Sequence, residues 1–234
     1  MALRLEELAK TIDLALLKPA PRAGEVEKTC AAACEHHVAA VCVLPPAVEQ
    51  TAALVHGCDV KVCAVVGFPF GAEETPAKLA AVAQAIRAGA REIEFVLNVR
   101  AMLSGDFRLV RDELAALVRA VRLQSVNAGR GAVLVKAVLE TGHLDDKRIR
   151  LACKLVEGAG LDFAQTSTGA DSGRATVQDV ELLRELLSES VGVKAAGGID
   201  SIEDVEAMLG AGAARTTIAG TAAVFAEARV REPV

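Results

Sequence analysis

The chain is predicted to fold as a single-domain α/β protein, a (β/α)8 TIM barrel, on three observations. Runs of β-branched residues alternate with Ala/Leu/Glu-rich helical stretches along the whole chain, eight times and without a linker, which is the signature of βαβ units and a parallel sheet. The length of 234 residues suffices for one complete barrel. Two strand-like runs, Leu161-Asp162-Phe163-Ala164-Gln165 and Val191-Gly192-Val193-Lys194-Ala195, exit into Thr166-Ser167-Thr168-Gly169 and Ala196-Gly197-Gly198-Ile199. Junctions of this kind in series suggest one mouth at the carboxyl ends of the strands, where barrels hold their chemistry.

In chain order the strands are expected at Thr11 to Leu16, Val38 to Leu44, Val60 to Val66, Glu92 to Leu97, Ala132 to Leu139, Asp162 to Gln165, Val193 to Ala195 and Arg215 to Ile218. Helices fit between them at Gly24 to Glu35, Pro46 to Val55, Pro76 to Ala88, Asp106 to Leu123, Asp145 to Glu157, Val177 to Leu187, Ser201 to Leu209 and Thr221 to Ala228. Starters such as Thr75-Pro76 and stop glycines such as Gly89, Gly158 and Gly210 bound several of them, as helix ends require. Ahead of the first strand, Met1 to Lys10 forms an amphipathic helical stretch that carries acids.

Composition narrows the function. With 52% hydrophobic and 24% charged residues the chain should fold. An aromatic content of 3%, with no Trp or Tyr, points to a core of Ala, Val and Leu. A net charge of -5 leaves no basic surface for a phosphate backbone, so nucleic-acid binding is not expected. The N-terminal stretch lacks the apolar core of a secretory signal and no run approaches a membrane span, so the expectation is a cytoplasmic protein without a membrane partner. The six cysteines (Cys30, Cys34, Cys42, Cys58, Cys63 and Cys153) read as buried thiols in a reducing compartment. Cys30 and Cys34 with His37 could share a helix face, but nothing nearby completes a four-ligand set, so neither a metal nor a cofactor is expected.

Collecting the polar residues of the strand ends gives the candidate site. Asp13 and Lys18 come from the first strand, Cys42 from the second, Gly67 to Gly71 from the third, and Glu94 and Asn98 from the fourth. Lys136, Glu140 and His143 come from the fifth, Gln165 to Gly169 from the sixth, and Lys194, Gly197 and Gly198 from the seventh. A lysine within a barrel strand faces either the lumen or the helix layer, and neither suits an unpaired ammonium. Lys136 and Lys194 are therefore candidates for an imine-forming amine, activated by desolvation and a second cation. Structurally, they could instead be members of ion pairs with Asp13, Glu94 or Glu140, although two strand lysines in one barrel favour the functional reading. Glu94, in an apolar run, could move protons or balance the lysines. His143 reads as a solvated loop histidine.

These residues resemble the 2-deoxy-D-ribose-5-phosphate aldolases, class I aldolases that join acetaldehyde to glyceraldehyde 3-phosphate through a lysine imine. The resemblance spans nearly the whole chain: Ile12-Asp13-Leu14 with Leu16-Leu17-Lys18-Pro19, Ala40-Val41-Cys42-Val43, Val65 to Gly71, Glu92-Ile93-Glu94, Lys136 with Glu140-Thr141, Thr166-Ser167-Thr168-Gly169, and Lys194-Ala195-Ala196-Gly197-Gly198-Ile199. It implies the barrel, a cytoplasmic location and often a dimer. The chain departs from the family at four positions. Gln165 stands where the resemblance implies the imine lysine, and Glu94 replaces the acid-base aspartate. Asp200 follows Gly-Gly-Ile where an arginine near the substrate phosphate is implied. Thr217-Ile218-Ala219-Gly220-Thr221 takes the place of a serine-rich phosphate loop.

Three functions follow as expectations. The first is an aldolase-like lyase acting on a small-molecule carbonyl compound, with Lys194 or Lys136 as a relocated imine lysine and Glu94 and Asp13 moving protons. The second is an enzyme without an imine, a cyclase, dehydratase or isomerase, in which Gln165 donates an amide hydrogen bond to a carbonyl oxygen and Glu94 carries the acid-base step. The third is a non-catalytic small-molecule-binding barrel. In each, Cys42, Thr166, Thr168, Gly169, Gly197, Gly198 and Asp200 are the candidate substrate contacts. With Asp200 for a cation and Ala219-Gly220 for hydroxyls, a phosphate loses contacts worth roughly 1.5 to 3 kcal/mol each. The expected ligand is thus unphosphorylated, unless Arg174 or Arg215 reaches the phosphate.

Overall fold

The computed structural model describes residues 4–170, 173–219 and 224–225. Eight parallel strands, β1 (Ile12–Leu16), β2 (Ala40–Val43), β3 (Lys61–Val66), β4 (Glu92–Val96), β5 (Leu134–Val138), β6 (Phe163–Gln165), β7 (Gly192–Ala195) and β8 (Arg215–Ala219), close into a barrel in sequence order. All eight coincide with the predicted runs to within a few residues, because most runs carry β-branched residues and bury most of both faces. The ring closes through β1 and β8, with Asp13 opposite Thr217.

The helices are α1 (Leu5–Ala9), α2 (Glu25–Glu35), α3 (Val48–Leu54), α4 (Thr75–Ala88), α5 (Val99–Ser104), α6 (Phe107–Asn127), α7 (Asp146–Ala159), α8 (Val177–Leu186) and α9 (Ile202–Gly210). The predicted helix from Pro46 begins as a 3-10 turn, Pro45–Ala47, since two successive prolines cannot supply backbone donors. α5 was not expected. It is a single short turn capped by Asn98, whose side chain accepts from the Ala101 amide. The predicted helix Thr221 to Ala228 lies outside the described residues except for Val224 and Phe225, which are helical. Among the described residues no helix is long and apolar enough to cross a membrane.

Strand alternation divides the interior into two regions. Ile12, Leu14, Val41, Val62, Ile93, Val135, Ala164 and Val193 pack outward against the helices in one continuous core. Ala40, Cys42, Cys63 and Val65 turn inward and form a small apolar cluster on one side of the lumen. The rest of the lumen is filled largely by charge.

One expectation is corrected. Cys34 and Cys58 are joined by a disulfide, with Cα atoms 5.7 Å apart, and so are not free thiols. α2 and the loop before β3 bring together residues 24 positions apart in sequence, a proximity that no local pattern reveals. The bond also removes Cys34 from any ligand set with Cys30 and His37. Cys30, Cys42, Cys63 and Cys153 are buried free thiols, as expected.

Candidate active site

The floor of the site is a buried ionic cluster. Asp13 on β1 faces inward and meets lysines from across the barrel. Its Oδ2 lies 2.8 Å from Lys136 Nζ and 2.7 Å from Lys194 Nζ. Lys194 also donates to Glu94 Oε2 at 2.6 Å. Lys136 lies 2.5 Å from Glu92 Oε2, an ion pair without hydrogen-bond alignment. Arg215 Nη1 donates to Asp13 Oδ1 at 2.5 Å and Nη2 to Glu92 Oε1 at 3.4 Å. Three cations thus meet three carboxylates, with both lysines and Asp13 fully sealed from solvent. Charges at that depth persist only when paired.

This pairing fixes the protonation states. Burial alone would push the Asp13 carboxyl up, but Lys136, Lys194 and Arg215 outweigh it and hold the group well below the usual carboxylate range. Burial alone would lower the lysines, yet Asp13 and Glu92 raise Lys136 well above its ordinary value, and Asp13 and Glu94 raise Lys194. Both are ammonium ions at neutral pH, so neither is the desolvated neutral amine expected of an imine lysine. The Phe163 ring lies beneath two of the cations, 5.8 Å from Lys136 Nζ and 5.6 Å from the Arg215 guanidinium carbon.

Above the floor opens a cavity of about 470 Å³ whose wall includes Lys18, Glu25, Glu94, Gln165, Thr168, Gly169, Gly197, Gly198, Asp200, Thr217 and Ala219. Of the residues singled out from the sequence, Glu94, Gln165, Thr168, Gly169, Gly197, Gly198 and Asp200 reach this wall. Asp13, Lys136, Lys194, Cys42 and Thr166 do not. Thr166 is a structural zip between strands, since its hydroxyl donates to the Ala196 carbonyl and accepts from the Ala196 amide, both at 3.0 Å. Ser167 likewise donates to the Ala196 carbonyl at 2.8 Å. The glycines allow the two loops to touch: a Cβ on Gly197 would fall 2.4 Å from Ser167 Oγ, and its φ of 107° suits only glycine.

Gln165 is oriented by its neighbour. Its Nε2 donates to the Ser167 carbonyl at 2.8 Å, and the reverse orientation would set two carbonyl oxygens against each other. The amide nitrogen is therefore engaged with the loop rather than offered to a substrate, contrary to the expected donor role. Oε1 is left buried without a partner among the described residues. Thr217 Oγ1, in the same wall, also has none.

The cations near the mouth are committed to acids. Lys18 is ion-paired with Glu25. Arg174 lies 3.4 Å from Asp200 and 3.6 Å from Asp204. Arg215 is bound in the floor. Neither arginine considered as a phosphate contact is in the cavity wall.

Two residues acquire roles that the sequence did not disclose. Glu92 and Arg215 complete the ionic cluster; strand periodicity puts Glu92 on the same face as Glu94, which was the available signal. Glu140, proposed as a lysine partner, instead accepts from the Thr168 amide and holds the loop after β6, with its own backbone in the left-handed region at φ 57°. His143 is exposed. Cys42, Cys63 and Glu94 present ligand atoms within 4.8 Å of one another. The hydrogen bond to Cys63, followed by burial, pushes the Cys42 thiol well up, and Glu94 already holds the Lys194 ammonium, so the set is poorly prepared for a cation.

A sequence model described as DeoC/LacD family aldolase matches residues 8–224. This chain belongs to that family. It is 43% identical over 211 residues to a deoxyribose-phosphate aldolase of Caldanaerobacter subterraneus subsp. tengcongensis, covering 90% of this chain and 89% of the relative. The deoxyribose-phosphate aldolase of Treponema denticola is 40% identical over 209 residues, covering 89% and 94%. Among solved structures, the tetrameric deoxyribose phosphate aldolase of Aeropyrum pernix superposes with a TM-score of 0.86 at 29% identity, covering 97% of this chain and 93% of that one. Membership in an aldolase family and the barrel both agree with the expectations drawn from the motifs. Within this DeoC/LacD member, Gln165 stands at the position where the resemblance implies an imine lysine.

Proposed function

We propose that the protein is a deoxyribose-phosphate-aldolase-like enzyme that activates a small, unphosphorylated carbonyl compound by acid-base chemistry without a lysine imine. The observation carrying this reading is that Glu94 and Gln165 stand in the cavity wall while Lys136 and Lys194 lie sealed beneath it as ion-paired ammoniums.

In this mechanism Glu94 takes a proton from the carbon beside the carbonyl, and the electron pair moves onto the carbonyl oxygen. The partnerless Thr217 hydroxyl donates to that oxygen. Lys194, which donates to Glu94 Oε2 at 2.6 Å, holds the carboxylate in place for the transfer. The resulting enol carbon can add to a second carbonyl, or the proton can return. An imine on Lys194 would first have to strip a proton from an ammonium held by two carboxylates, which disfavours the relocated-lysine alternative. A non-catalytic small-molecule-binding barrel would use the same cavity and the same partnerless polar atoms, and α-proton exchange distinguishes it from the enzyme.

Support for an unphosphorylated substrate comes from Asp200 in the wall and from the engagement of Lys18, Arg174 and Arg215 with acids. The Aeropyrum pernix relative is tetrameric, and we infer that this chain also self-associates. The reading is tested by following α-proton exchange of unphosphorylated aldehydes and ketones in D2O. Wild type should exchange, Glu94→Gln should not while remaining folded, and borohydride should trap no adduct on either lysine. Full exchange by Glu94→Gln, or a lysine adduct, would reject it.

A further inference from the structure

We infer that Gln165 is the specificity-determining residue of the cavity, and that it selects a carbonyl compound bearing a non-anionic hydrogen-bond donor, a hydroxyl or a protonated amine. This rests on the reading of the cavity as the substrate site.

Gln165 is 2% exposed. Its amide nitrogen is fixed to the Ser167 carbonyl, so a carbonyl oxygen is what it presents, and that oxygen has no partner. A buried acceptor in this state is costly unless a ligand satisfies it, and only a group carrying O-H or N-H can do so. An isosteric ligand lacking that donor leaves the oxygen stranded, which is the asymmetry that produces strong discrimination.

The charges favour the same ligand. Among the described residues the wall contains one cation, Lys18, and three acids, Glu25, Glu94 and Asp200. Lys18 is neutralised by Glu25, and Glu94 by Lys194. At the remaining corner Arg174 is shared between Asp200 and Asp204, which leaves one negative charge in surplus. Moreover, Arg174 packs over Gly198 so closely that a Cβ there would lie 2.6 Å from its Cγ. The corner therefore repels a phosphate and accommodates a neutral hydroxyl or an ammonium.

The experiment is a set of ligand-observed NMR titrations with wild type, Gln165→Met and Asp200→Asn. The hydroxyl arm uses 2-deoxyribose and its 5-phosphate; the amine arm compares aminoacetone with hydroxyacetone. In wild type, 2-deoxyribose should bind more tightly than its phosphate. Gln165→Met, similar in shape but without the acceptor, should weaken 2-deoxyribose by roughly fivefold or more, and should weaken the phosphate, which lacks only the 5-hydroxyl, by less. Tighter binding of aminoacetone, weakened by Asp200→Asn, would identify the donor as an amine; tighter hydroxyacetone would identify it as a hydroxyl. The inference is overturned if the phosphate binds wild type as well as 2-deoxyribose, if Gln165→Met changes nothing, or if no phosphate-free compound binds. Should Gln165→Met not fold, Gln165→Leu, which also lacks the acceptor, takes its place with the same expected outcomes. Because binding is measured, correct selectivity without α-proton exchange would sink the acid-base mechanism and spare this inference.

Discussion

Lys194 and Glu94 meet in the barrel lumen at 2.6 Å, and that contact separates a sealed ionic floor from an open cavity wall. Lys194 is fully buried, and Glu94 lies in the cavity wall. Any change of charge at Glu94 is therefore coupled to a sealed ammonium.

Removing one member of the pair should cost much more than removing both. Lys194→Met strands Glu94 as an uncompensated buried carboxylate and takes one of three cations from Asp13, and about 3 to 5 kcal/mol of stability should be lost. Adding Glu94→Gln should recover part of that loss. Urea denaturation of the two single variants and the double variant reads the coupling directly, and additive losses would show that the pair contributes nothing as a unit.

Gln165→Lys places an amine in the cavity wall rather than beneath it. In the presence of acetaldehyde and borohydride this variant should gain a reduced adduct on residue 165, detectable by mass spectrometry, whereas wild type should show none on any barrel lysine. An unmodified variant that is correctly folded would mean the wall at this position does not receive a small aldehyde.

Stability should plateau in the middle of the pH range and fall at both ends. The folded Asp13 carboxyl titrates below its unfolded value, so its contribution is complete above about pH 4 and disappears as pH drops further. Lys136 and Lys194 titrate above theirs; their contribution is complete below about pH 10 and is lost as pH rises through the folded values. Thermal melts across pH in constant salt would show this, and a maximum confined to the acid side would contradict the charge assignment.

The Cys34–Cys58 disulfide closes a loop with a sequence separation of 24. On chain-entropy grounds it should contribute about 3 kcal/mol. Reductant should lower the denaturation midpoint of wild type by a corresponding amount and leave Cys34→Ser unaffected. Equal sensitivity of the two proteins to reductant would assign the effect to another cysteine.

The barrel was legible in the sequence because its cause is local. Runs such as Val60 to Val66 are β-branched enough to be strands by themselves, and the helices between them carry their own caps, as Asp145 and Thr176 show by accepting from Arg148 and Asp179 amides. The positions of Glu94, Gln165, Gly197 and Gly198 at strand ends followed from the same pattern. What the amino-acid order left open was direction and partnership. Asp13 and Lys136 are 123 residues apart and meet only because the sheet closes and both face inward, so the sequence could name the lysines without saying whether they were reactive amines or paired ammoniums. Glu92, Arg215 and the partner of Cys34 were hidden for the same reason. The orientation of the Gln165 amide depends on a carbonyl two residues away whose direction is fixed by the contact between the β6 and β7 loops. Local periodicity determines which residues line the barrel; only closure determines which charges cancel and which polar atoms remain for a ligand.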